Sequence, residues 1–186
     1  MKAEATDPLD EQLAKARSGD QRAFAALVRA HQRSVYSLAL RMLTDPGAAE
    51  DLAQDVFLQL HRKLSMIESS AHLAFWLRKI ATHRAIDRLR QQPAASVAAL
   101  EEADLLGVHI EGDPLLQRQL RELILDLSPA ARAVILLRFQ EDLDPLDIAR
   151  TLEMPINTVK SHLKRSLATL RDRVLNRDAR SEGHLV

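Results

Sequence analysis

The sequence has no cysteine, which excludes a disulfide framework, a thiolate zinc site and a cysteine nucleophile together. Five glycines, one tyrosine and 3% aromatic residues leave little material for hairpins or sheets. No apolar stretch approaches the roughly 20 residues needed to cross a bilayer. The opening MKAEATDPLDEQL is acidic and has no signal-peptide core. The expectation is a cytoplasmic protein without direct membrane insertion. An excess charge of one sign is also missing, since 26 Lys and Arg balance 26 Asp and Glu. What is there is a globular balance of 46% hydrophobic and 28% charged residues over 186 positions. That length accommodates one ordinary domain or two small ones, and the absences favour an all-α chain of two small helical domains.

Zero net charge argues against a nucleic-acid partner only if the charges are mixed, and here they are segregated. Asp45, Glu50, Asp51 and Asp55 form an acidic segment, followed by Arg78, Lys79, Arg84, Arg88 and Arg90 against Asp87 alone. Glu101, Glu102, Asp104, Glu111 and Asp113 then occur without a cation, before Lys160, Lys164, Arg165, Arg171, Arg173 and Arg177 against Asp172. Two basic segments therefore flank an acidic one.

Proline supplies the punctuation. At the first helical position it loses no hydrogen bond, and a preceding Asp or Ser caps the exposed amides. Asp7-Pro8, Asp45-Pro46, Asp113-Pro114, Ser128-Pro129 and Asp144-Pro145 each precede a helical pattern, and Asp144 with Asp147 resembles a capping box. Apolar spacing between these marks predicts helices over 8–17, 20–43, 46–64, 71–91, 114–127, 129–140, 145–152 and 157–175. The weakly patterned stretch from Gln91 to Gly112, with a possible frayed helix around 98–106, is the natural linker.

Near the carboxyl end, Leu146, Ile148, Ala149 and Leu152 give a short apolar helix, Glu153 to Ile156 a tight turn, and Val159, Leu163, Leu167, Leu170 and Val174 a second stripe. At 100° per residue, Val159, Leu163, Ser166, Leu167 and Leu170 cluster on one side while Thr158, Ser161 and Arg165 point away. This is the division a helix-turn-helix needs: one face packs and the first turns of the second helix meet base edges and phosphates. Lys160, Lys164, Arg171 and Arg173 suit phosphate contacts. A lone amphipathic helix with a basic face would be a solvated surface, but the preceding short helix and turn favour DNA.

Two features mark the first domain. On helix 46–64 the apolar arc is Leu52, Ala53, Val56, Phe57, Leu60 and Leu64, and Leu58 interrupts the opposite face of Asp51, Gln54, Asp55, His61 and Arg62. A docking site with a polar rim and an ordinary solvated face are both open there. Helix 71–91 has Leu73, Trp76, Leu77 and Ile80 on one side and Phe75, Ile86 and Leu89 on nearly the other, among basic residues. Aromatics among arginines can stack unpaired bases, although for Trp76 a core position is the favoured reading.

The chain resembles the extracytoplasmic-function class of bacterial sigma factors from about Gly19 to Arg173, linker excepted. GDQRAFAALVRAHQRSVYSLALRML is similar to the first conserved helix of that family and GAAEDLAQDVFLQLHRKL to its polymerase-binding helix. FWLRKIATHRAIDRLR is similar to the promoter-melting and −10 reading helix, and LSPAARAVILLRFQEDLDPLDIARTLEMPINTVKSHLKRSLATLR to the −35 reading domain. The resemblance implies a non-catalytic specificity subunit without cofactor or metal. It would join core RNA polymerase, recognise two promoter elements and help open the duplex.

By the same resemblance, residues 1–91 form the region 2 domain, 92–113 the linker, 114–178 the region 4 domain and 179–186 a tail. Core polymerase would be met through Asp51, Gln54, Asp55, Leu58 and Arg62 on the β′ clamp, and through the second domain on the β flap. The −10 element would be met by Ile67, Glu68, Ser69, Trp76, Lys79, His83, Arg84 and Arg88, and the −35 element by Thr158, Lys160, Ser161, His162, Lys164 and Arg165. An anti-sigma factor would be the inhibitor. Two departures stand out: the loop before the −10 helix reads SMIESSAH instead of a Phe, Arg and Gly pattern, and His83 replaces a frequent Asn. His83 can bond a flipped base or pair with Asp87 along its helix. His162 likewise stands in place of a frequent Arg.

Two rival functions are weaker. A helix-turn-helix regulator outside the polymerase explains Ser161 and Arg165 but not the second basic, aromatic-bearing helix beyond an acidic linker. A carboxylate metalloenzyme built on Glu50, Asp51, Asp55 and His61 lacks the inward Glu-x-x-His unit such bundles use. His31, on the stripe of Phe24, Val28, Val35 and Leu38, is read as a hydrogen-bonded core residue rather than a ligand.

Overall fold

The computed structural model describes residues 7–91 and 114–182. The chain divides into two compact units, Met1–Arg88 and Leu89–Val186. Among the described residues the regular structure is helical throughout. In the first unit these are α1 (Pro8–Arg17), α2 (Gln21–Leu43), α3 (Pro46–Lys63), a 3-10 turn (Leu64–Met66) and α4 (Ser70–Gln91), whose last three residues cross the division. The second holds α5 (Pro114–Leu125), α6 (Pro129–Phe139), α7 (Pro145–Leu152) and α8 (Ile156–Glu182).

The helix starts follow from their caps. Asp7, Asp20, Asp45, Ser128 and Asp144 each accept backbone amides of the first turn, the tightest being Ala48 N to Asp45 Oδ1 at 2.6 Å. Pro8, Pro46, Pro129 and Pro145 occupy early positions whose missing N–H would have had no partner. Asp113 and the possible helix around 98–106 lie outside the described residues. The expected capping box at α7 is one-sided: Asp144 receives Leu146 N and Asp147 N, both at 2.8 Å, whereas the Asp147 carboxylate lies 3.4 Å from Arg150. At its far end α8 outruns its expected limit and continues to Glu182, because no breaker precedes Gly183.

In the first unit α2 packs against both α1 and α3. Its core gathers Leu27, Met42, Leu52, Val56, Leu60, Ile67, Leu73 and Leu77, all essentially solvent-free. The arc expected on α3 is buried at Leu52, Ala53, Val56, Leu60 and Leu64, while Phe57 is half-buried. On α4 the expected second face is buried at Ile86, beside Ala81, Thr82 and Ala85, while its other members Phe75 and Leu89 are half-buried. The apolar arc of α4 simply widens toward its carboxyl half.

In the second unit α6 is the central helix, buried from Ala131 to Leu137, with α5, α7 and α8 around it. Val159, Ser166 and Leu170 carry the buried side of α8, but Leu167, expected on the stripe, is 44% exposed. Arg132 is buried too, and its guanidinium donates to the Leu125 carbonyl, closing the end of α5. Burial lowers its pKa, with partial compensation from Asp126.

Candidate polymerase and nucleic-acid interfaces

Three surfaces carry the expected sites. On α3 the positions 51, 54, 55, 58 and 62 follow a spacing of three and four, so they share one face opposite the buried arc. Asp51, Gln54, Leu58 and Arg62 are exposed there, and Leu58 is open to 51% of its area. A leucine so exposed among a carboxylate, an amide and a cation matches the apolar centre and polar rim of a small interface.

Asp55 differs from its neighbours. It is half-buried, and its Oδ2 lies 3.1 Å from Arg84 Nη1 and 3.6 Å from Arg88 Nη2, both on α4. Arg84 also donates to Gln59 Oε1 from Nε at 3.2 Å and Nη2 at 2.8 Å, and Arg88 donates to the Ala48 carbonyl at 2.7 Å. These two arginines, expected at the −10 element, are turned onto α3, where a carboxylate, an amide and a backbone carbonyl offer them acceptors. Their charge is partly spent inside the unit.

The turn leading into α4 is held from three directions. Ile67, expected at the −10 element, is fully buried, so in this structure its side chain fills the core and is not on the surface. Ser69 Oγ accepts His72 N at 3.1 Å, capping α4, and the Glu68 amide donates to His72 Nδ1 at 3.3 Å. Ser70 is bonded to α1, its amide donating to Asp10 Oδ1 at 2.5 Å and its hydroxyl to Asp7 Oδ2 at 2.7 Å. Bonds from the Leu9 amide and then the Ser70 hydroxyl hold the Asp7 carboxyl below its usual range. This tie spans about sixty residues of sequence, and no local pattern announces it. Glu68 remains exposed, while Trp76, Lys79 and His83 are half-buried along α4.

On α8, Thr158, Lys160, Ser161, Lys164 and Arg165 are all exposed and His162 is half-buried. Ser161 Oγ donates to the Asn157 carbonyl at 2.8 Å, which directs its proton into the helix and leaves its lone pairs outward. Arg173, expected on phosphate, is paired with Asp126 at 2.7 Å and ties α8 to the end of α5. Arg171 lies 3.5 Å from its neighbour Asp172.

The His61 ring meets Phe24 edge-on at 5.0 Å and 84°. Among the described residues, no three His, Asp or Glu side chains gather closely enough to hold a metal ion. His31 departs from the hydrogen-bonded core residue expected: its buried Nε2 has no hydrogen-bond partner among the described residues, and burial lowers its pKa. No helix among the described residues is long and apolar enough to cross a membrane.

The Sigma-70 region 2 family model matches residues 27–94, and the Sigma-70, region 4 model matches residues 117–170. The chain is 33% identical over 174 residues to the ECF RNA polymerase sigma factor SigK of Mycolicibacterium vanbaalenii, covering 89% of each chain. The chain belongs to the extracytoplasmic-function sigma factors. It is therefore a subunit that binds core RNA polymerase and directs promoter-specific initiation. This sigma factor is also 28% identical over 177 residues to SigW of Bacillus subtilis, covering 88% of this chain and 95% of SigW.

Among solved structures, it shares its fold with CnrH in complex with the cytosolic domain of CnrY. The TM-score is 0.67 at 23% identity, over 92% of this chain and 99% of that one. It likewise shares it with the sigma factor RpoE of Bartonella quintana in complex with the anti-sigma factor NepR. There the TM-score is 0.60 at 22% identity, over 80% and 94% of the two chains. The family consists in general of non-catalytic proteins.

Proposed function

We propose that this sigma factor docks on the β′ clamp through the α3 face centred on Leu58, with Asp51, Gln54 and Arg62 as its polar rim. Asp55 borders that face and is shared with α4. The observation that supports this most directly is the exposure of Leu58 opposite a fully buried arc. An apolar side chain in that position gains by being covered, and the polar rim sets orientation.

Promoter contacts are assigned to the other two surfaces. Glu68 and Ser69, at the turn into α4, and Trp76, Lys79 and His83 along it would meet the −10 segment as its strands part. Thr158, Lys160, Ser161, His162, Lys164 and Arg165 would meet the −35 element in the major groove. In domain terms, 1–91 is the region 2 unit and 114–178 the region 4 unit, which would lie on the β flap. The linker 92–113 would thread toward the RNA exit path, and the expected tail, 179–186, begins inside α8, which reaches Glu182. The chain would work in the cytoplasm without catalysing a reaction, under an anti-sigma factor that covers one or more of these faces.

Reconstitution of the full chain with core polymerase, followed by sequencing of run-off transcript starts, tests this. Starts downstream of a common pair of elements are the expected result. Loss of holoenzyme on Leu58→Glu would tie it to α3. Transcription indistinguishable from core polymerase alone would overturn the proposal.

A further inference from the structure

α1 and its cap Asp7 lie outside the residues matched by the region 2 model, which begin at 27, yet together they supply two carboxylates to the start of α4. Asp10 takes the Ser70 amide at 2.5 Å, and Asp7 takes the Ser70 hydroxyl at 2.7 Å while also capping its own helix through Leu9 N. α1 packs as well against the 3-10 turn Leu64–Met66, so it touches the segment 64–70 at both ends. Between those ends, Ile67 is pegged in the core, and Glu68 and Ser69 face outward to different degrees.

We propose that Asp7 and Asp10 are positioning residues for −10 recognition: they fix the turn that precedes α4, so that Glu68 and Ser69 are preset when a strand of the promoter arrives. The inference rests on the functional reading above and extends it to α1. A carboxylate beside a DNA-binding segment ordinarily repels phosphate. Here half-buried Asp10 accepts an N–H and exposed Asp7 accepts an O–H, so both carboxylates are engaged as acceptors within the unit. Presetting the turn removes an ordering cost that would otherwise be met each time a base is captured out of the stack.

The test uses the full chain with core polymerase and a promoter fragment recovered from the transcript starts, carrying 2-aminopurine in the −10 segment. Holoenzyme affinity and the rate of duplex opening are read separately. Asp10→Ala should slow opening about tenfold, the scale of losing one charge-assisted hydrogen bond. Asp10→Asn should restore most of the rate, because its Oδ1 can still accept the Ser70 amide. A purely electrostatic role predicts the opposite pattern, in which Asn and Ala alike raise affinity for any duplex, and that result overturns the proposal.

Ser70→Ala, which removes only the bond to Asp7, should give a smaller slowing. If Asp10→Ala does not fold, Ser70→Ala decides alone: slowed opening supports the proposal and a wild-type rate overturns it. A wild-type chain that forms no holoenzyme would instead sink the functional reading beneath. Normal holoenzyme with wild-type opening in every variant sinks only the role of α1.

Discussion

Arg84 on α4 places its Nη1 3.1 Å from Asp55 on α3, joining the helix assigned to polymerase with the helix assigned to promoter opening. Asp55 is therefore a poor probe of docking, since changing it also disturbs Arg84 and Arg88. Leu58→Glu is the cleaner variant. It should abolish co-elution with core polymerase while the melting temperature stays close to wild type, because the side chain is already half exposed. Asp55→Arg should lower stability as well, by about 1–2 kcal/mol, from two lost, partly exposed pairs and two new like-charge contacts with Arg84 and Arg88. Thermal melts beside gel filtration separate the two effects. An unchanged melting temperature for Asp55→Arg would mean that the pair contributes nothing in solution.

Ile67→Ala distinguishes core from DNA contact. Ile67 is fully buried, so the truncation should cost about 2–5 kcal/mol in denaturant unfolding. Ile67→Val should cost about 0.5–1.5 kcal/mol and leave promoter preference unchanged. A shifted −10 preference in a fully stable Ile67→Val protein would restore the side chain to the DNA-reading set.

How much was legible in the sequence depended on how local the cause was. Helix starts at Pro8, Pro46, Pro129 and Pro145 could be read because a cap and a proline act within three residues. The exposed faces of α3 and α8 could be read because helical spacing orders side chains around one axis. Spacing does not say what stands opposite a polar side chain. Arg84 therefore read as a −10 contact, with nothing to show that its acceptors Asp55 and Gln59 stand 29 and 25 residues earlier. Arg173 read as a phosphate contact, although Asp126 lies 47 residues back. Ile67 sits in a turn with no periodicity to mark it as core, and the tie from Asp10 to Ser70 spans 60 residues.

A pH dependence follows from His31. Burial depresses its pKa in the folded chain below the ordinary 6.5, so between the two values the unfolded chain binds more protons. Its contribution to stability is full above about pH 6.5 and falls as pH drops toward the folded value. Melting temperature should therefore decline on acidification through this window, and His31→Leu should flatten that part of the profile. Equal slopes for wild type and variant would show that His31 is not the group responsible.

The α8 surface predicts three different outcomes from three cations. Arg165 is exposed on the outward face, so Arg165→Ala should weaken promoter binding by about 1–3 kcal/mol and relax preference at one position if it reads a base edge. Lys164→Ala should weaken all sequences alike and reduce the salt slope by about one unit, the signature of a phosphate contact. Arg173 is held by Asp126 at 2.7 Å, so Arg173→Ala should leave both preference and salt slope intact and cost about 0.2–1 kcal/mol of stability. Binding of the reconstituted holoenzyme to promoter variants at several salt concentrations separates the three. A salt slope that falls in Arg173→Ala would mean that its pair with Asp126 opens on DNA.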